Sequence, residues 1–184
     1  MPPTVFADIV SLNYYPNYSI NGDEEELDDW TPGDDYTYLS LGQSKAFSLK
    51  YSYELKQPNE IDTSENKGSA YIYADYTTFN LDGNKEEIET GKYQSITSGL
   101  LILAEPYSNK YIDTYFSLGF GIGGSRFELS ENKHRGTAEI FLEVGVSLIK
   151  QLYLSVGGKY QVIGQPTETM AEAYGFCMGL SVKY

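Results

Sequence analysis

Residues 174–184 read YGFCMGLSVKY, an unbroken alternation of two kinds of side chain. Tyr174, Phe176, Met178, Leu180, Val182 and Tyr184 fall on one face, and Gly175, Cys177, Gly179, Ser181 and Lys183 on the other. A strict period of two is the signature of a β-strand with unlike faces. The second face carries the information. A strand face in water normally holds Lys, Glu, Thr or Gln, and glycine there weakens the strand without a packing gain. Here that face is made of small residues.

The same pattern recurs upstream. Over 110–122, Ile112, Thr114, Phe116, Leu118, Phe120 and Ile122 oppose Asp113, Tyr115, Ser117, Gly119 and Gly121. Over 138–148, Ala138, Ile140, Leu142, Val144, Val146 and Leu148 oppose Glu139, Phe141, Glu143, Gly145 and Ser147. Over 152–162, Leu152, Leu154, Val156, Gly158, Tyr160 and Val162 oppose Tyr153, Ser155, Gly157, Lys159 and Gln161. A soluble up-and-down barrel would bury the apolar face, whereas a membrane barrel turns it to lipid and packs the other into a narrow lumen. Repeated glycine on the polar face favours the second, because an eight-strand lumen is only wide enough for side chains. Segments of 11 or more residues also meet the roughly 9–11 needed for a tilted crossing.

Eight such segments are expected, near 4–15, 36–55, 68–80, 92–104, 110–128, 136–149, 151–163 and 171–184. The fold class is therefore all-β: an eight-stranded antiparallel up-and-down transmembrane β-barrel, a single domain over 1–184. With both termini periplasmic, the outside connections are 16–35, 81–91, 129–135 and 164–170. The periplasmic ones are 56–67, 105–109 and a tight turn at 149–151. The pattern is less regular early in the chain. Phe47, Leu49, Tyr51, Tyr53 and Leu55 are apolar, but Gln43 and Lys45 share their face, so 47–55 is taken as the crossing part. In 68–80, Ala70, Ile72, Ala74 and Tyr76 oppose Tyr71, Tyr73 and Asp75, and the polarity is ambiguous. Asp8 is expected to face the lumen, with Val5 and Ile9 on lipid.

Composition excludes several classes. The 184 residues include 18 Tyr and 18 Gly, which suit strands rather than helices. A net charge of -13 argues against nucleic acid, whose phosphates call for Lys and Arg. The single cysteine, Cys177, permits no intrachain disulfide and is read as a buried inert thiol. The N-terminus MPPTVFADIV lacks a basic region followed by an apolar core; in an exported protein a signal peptide would already have been removed.

With these strands in place, the chain resembles the small bacterial outer-membrane β-barrels of the OmpA, OmpX and OmpW type, over essentially its whole length. The resemblance is sharpest in YGFCMGLSVKY, which looks like the C-terminal signal of such barrels. It implies that Phe176, Met178, Leu180, Val182 and Tyr184 are read by the barrel-assembly machinery during biogenesis, and that the protein resides in the bacterial outer membrane in contact with lipid. No appended periplasmic domain is expected, since the sequence stops at the barrel.

Candidate functional residues form two groups. Lys50, Asp113, Glu139, Glu143, Lys159 and Lys183 fall on lumen positions, where charges must pair or line a water-filled path. Asp23, Glu24, Glu25, Glu26, Asp28 and Asp29 form an acidic external loop, flanked by Trp30. It lacks the spacing of a calcium hand, and neither metal nor cofactor is expected. Some barrels of this type modify lipid A with a His and a Ser two residues apart. The single histidine, His134, lies in an expected loop and has Gly136 at that offset, so no catalytic set is assigned. GFGIGG at 119–124 has the composition of a phosphate loop but sits in a strand with no helix after it. Three functions follow: a non-catalytic barrel with a structural, adhesion or partner-binding role through its acidic loops; a narrow channel for small or hydrophobic solutes; or a soluble lipocalin-like ligand-binding barrel.

Overall fold

The period-two segments form eight strands in the computed structural model, which describes residues 8–23, 38–55, 67–81, 91–108, 112–128, 132–149, 151–165 and 168–184. They are β1 (Ile9–Asp23), β2 (Tyr38–Leu55), β3 (Lys67–Leu81), β4 (Gly91–Ser108), β5 (Asp113–Glu128), β6 (Asn132–Ile149), β7 (Leu152–Gln165) and β8 (Glu168–Lys183). Each pairs antiparallel with its sequence neighbours, and β1 pairs with β8 to close the barrel. The closure is extended by Asp8, whose backbone exchanges two 3.0 Å hydrogen bonds with that of Tyr184.

The faces are inverted relative to a soluble protein. Outward positions hold Phe120, Ile122, Ile140, Leu142, Val156, Phe176 and Met178, all exposed, with Phe176 at 84%. Inward positions of the same strands hold buried Ser117, Glu139, Glu143, Ser155 and Lys159. Water would penalise each large exposed apolar side chain by about 1.5–3 kcal/mol relative to burial, so this wall is lipid-facing and the soluble reading with an apolar interior fails. On β6 the outward set Ala138 to Leu148 spans about 25 Å along the barrel axis at about 3.3 Å per residue and a tilt of about 40°. That matches the apolar band of a membrane barrel.

Inward glycines create the space that rings occupy. A Cβ on Gly119 would meet the Phe141 ring, and one on Gly145 the Tyr115 ring. Outward Gly158 has only ordinary contacts, the nearest to the Gly175 carbonyl and the Phe176 ring, each at 3.7 Å.

Four expectations change. β1 does not stop at Tyr15 but continues to Asp23, through a register shift between Tyr15 and Tyr18. The shift contains Pro16 and Asn17, both exposed, and a bulge is where a residue lacking an N–H can sit in a strand. Because of where strand pairing begins, Ile9 packs inward against buried aromatics. Asp8 lies on the outer side instead, where its carboxylate accepts a 2.6 Å hydrogen bond from Tyr51. Strand β3 is unambiguous: Tyr71, Tyr73 and Asp75 are buried while Ile72 is exposed. Lastly, β5 through β8 run beyond the apolar band, so the connections at 129–131 and 166–167 are no longer than those at 109–112 and 150–151. His134 therefore lies on β6 rather than in a loop.

Candidate functional site

The lumen is filled in layers. Nearest the termini, Lys183 of β8 pairs with Glu105 of β4 at 2.7 Å, both about a quarter exposed or less. Around them stand Tyr71, Tyr115, Tyr153, Leu101 and Leu103, with Ile9 packed against the group. Asp113 begins β5 at this end, its backbone N–H donating to the Ser147 hydroxyl at 2.7 Å. Between this layer and the next lies a cavity of about 20 Å³ lined in part by Ser11, Ser52, Ser117 and Ser181, room for about one ordered water.

Two ionic clusters fill the middle. Lys50 of β2 reaches Glu143 of β6 at 2.6 Å, and its ammonium lies 3.9 Å from the Phe141 ring centroid. Asn13 of β1 donates to the same Glu143 oxygen at 3.0 Å. One level further, Lys159 of β7 is paired with Asp75 of β3, sits 3.5 Å from Glu139 and donates to Thr77 at 2.9 Å. Glu139 is held by three more donors: Thr97 at 2.6 Å, Tyr73 at 2.9 Å and the Gln161 amide at 3.0 Å. All five charged groups are at most 5% exposed. Charges so buried persist only when paired and hydrogen-bonded, and here Lys50–Glu143 and Lys159–Asp75 each join strands on opposite sides of the barrel.

An aromatic layer closes the loop-side end. Tyr15, Tyr18, Phe79, Tyr93 and Phe127 form a continuous series with ring centroids 4.6–5.2 Å apart. They pack with Ile20, Ile163, Ala171, Ala173 and Cys177. The Tyr18 and Tyr93 hydroxyls donate down to the Gln161 carbonyl at 2.9 and 3.3 Å, tying the layer to the ionic network.

The six lumen charges read from sequence thus lie at different heights. Lys50 with Glu143, and Glu139 with Lys159, are brought together at mid-lumen, while Lys183 and Asp113 sit at the termini end. Sequence reading missed the counter-charges Asp75 and Glu105 and the hub Gln161. Asp75 lies on the strand whose polarity was ambiguous, and Glu105 was assigned to a turn. On β8, Phe176, Met178, Leu180 and Val182, with Tyr184 after the strand, are exposed on the outer wall. Asp23 ends β1; Glu24, Glu25, Glu26, Asp28, Asp29 and Trp30 lie outside the described residues. His134 is exposed on the outer side of β6, away from the lumen charges.

No protein-family model matches the chain, and no curated protein matches it in sequence. Solved structures do match in shape. Neisserial surface protein A superposes with a TM-score of 0.55 at 14% identity, covering 96% of this chain and 97% of that one. Ail, the attachment invasion locus protein of Yersinia pestis, in complex with the heparin analogue sucrose octasulfate, gives 0.52 at 12% identity over 97% and 99%. The outer membrane enzyme PagL gives 0.50 at 11% identity over 90% and 97%. At such identities the likeness concerns fold alone. By its closed eight-strand meander, lipid-facing wall and polar interior, the chain has the fold of the small outer-membrane β-barrels.

Proposed function

We propose that the protein is a non-catalytic barrel of the bacterial outer membrane that works through its outer and loop surfaces in a structural, adhesion or partner-binding role. The observation that carries this reading is the filled lumen: paired buried charges at mid-height beneath an unbroken aromatic layer. A solute path would require both to part. The lone histidine lies outside the lumen, and the buried carboxylates Asp75, Glu139 and Glu143 are each held by a lysine.

Chemistry favours a particular partner. The acidic run at 23–29 and the net charge of -13 suit a basic protein surface and disfavour a polyanion such as the heparin analogue held by Ail. Attachment, the role in Ail's name, is compatible with this surface. Inserted into planar bilayers, the protein is expected to give no conductance steps. Steps in the wild-type barrel would return the function to a narrow channel for small or hydrophobic solutes. Cross-linking in native membranes, compared with a Glu24→Gln/Glu25→Gln/Glu26→Gln variant, is expected to show a captured protein that the variant loses.

A further inference from the structure

Arg126 of β5 and His134 of β6 are direct register partners. Both occupy outward positions, in the same series as Ile122 and Ala138. With Tyr76, Gln94, Ile96 and Gly124 they line a groove of about 480 Å³ in the outer wall. Its floor is open because the outward residues below the two side chains are glycines, Gly124 beneath Arg126 and Gly136 beneath His134. One side is braced by the Gln94 amide donating to the Tyr76 hydroxyl at 2.7 Å. Arg135 donates to the His134 carbonyl at 3.0 Å, bringing a second guanidinium to the same level.

Height gives the groove its meaning. Arg126 lies four residues past Ile122, which is 73% exposed at the upper edge of the apolar band. At the strand rise and tilt used above this is about 10 Å higher, the depth of the lipid headgroups flanking a hydrocarbon core of about 30 Å. The charge is equally unusual. In a chain of net -13, two arginines, Arg126 and Arg135, line this one groove beside His134.

We propose that this groove seats the phosphate headgroup of a membrane lipid, with an acyl chain lying down the wall over Ile96 and Ile122. The Arg126 guanidinium offers two parallel N–H donors to the phosphate oxygens, and an imidazole N–H of His134 offers a third. The inference rests on the membrane-spanning reading. Exposed Ile96 (64%) directly below the Arg126–His134 pair supplies the apolar surface that a lipid's acyl chain needs and a free anion does not.

Native mass spectrometry of the full chain, released from a neutral detergent, tests this with three probes: phosphatidylglycerol, the diacylglycerol with the same chains, and inorganic phosphate. Phosphatidylglycerol is expected to be retained well above the other two. Arg126→Gln/His134→Gln should weaken its retention about tenfold, while Lys45→Gln, which removes an exposed cation on distant β2, should not. Should the double variant fail to fold, His134→Gln alone, a change at an exposed side chain, should give a smaller loss of the same sign. Equal retention of diacylglycerol, equal binding of inorganic phosphate, or retention unaffected by either variant would overturn the proposal. Failure of the membrane reading itself is separately visible, as a wild-type chain that stays monomeric and soluble without detergent.

Discussion

A single glycine decides whether the lumen closes. Gly145 faces inward beneath the Tyr115 ring, and Gly158 faces the lipid wall with its nearest neighbours 3.7 Å away. Gly145→Ala should therefore destabilise the barrel by about 1–3 kcal/mol through overpacking, whereas Gly158→Ala should be near neutral. Urea unfolding in detergent micelles checks the pair. The network is equally specific at Lys159, which serves both Asp75 and Glu139. Lys159→Met leaves two buried carboxylates without their cation and should cost about 3–5 kcal/mol; combining it with Asp75→Asn should restore part of the loss. Additive losses in that double variant would show that the three groups are not coupled.

Among the elements, β8 and β1 form the seam that closes the sheet. Tyr184 contributes two backbone hydrogen bonds to Asp8, and Asp8 is held in turn by Tyr51 at 2.6 Å. Deleting Tyr184 removes both seam bonds and the terminal aromatic of the proposed assembly signal, so the yield of heat-modifiable barrel in the membrane fraction should fall severalfold. Normal insertion would remove Tyr184 from that role. Strand number, order and the facing of β5 through β8 were legible because their alternation is long and their apolar face is nearly pure. β1 was cut short because Pro16 and Asn17 break the period, and a bulge that resumes the strand with shifted parity is invisible to a period-two reading. β3 was ambiguous because tyrosine occupies both faces, and tyrosine is at home in a packed lumen and at a lipid boundary alike.

For the molecule as a whole, alternation gives the radial direction of a side chain but neither its height nor its angle around the barrel. Those depend on the stagger of all eight strands. Lys50 and Glu143 could be placed inside from sequence; that they meet each other, and that Lys159 meets Asp75, follows from the closed register. The Arg126–His134 groove stayed hidden for the same reason, since its two side chains adjoin only when β5 and β6 pair. The central claim is the inversion of faces, and oxygen accessibility of spin labels along β6 tests it most directly. In a Cys177→Ala background, single cysteines at the even positions of β6 from 138 to 148 would be labelled in the bilayer-reconstituted barrel. All six should be highly accessible to lipid-soluble oxygen and protected from a water-soluble nickel chelate. Even positions open to the chelate would contradict the account.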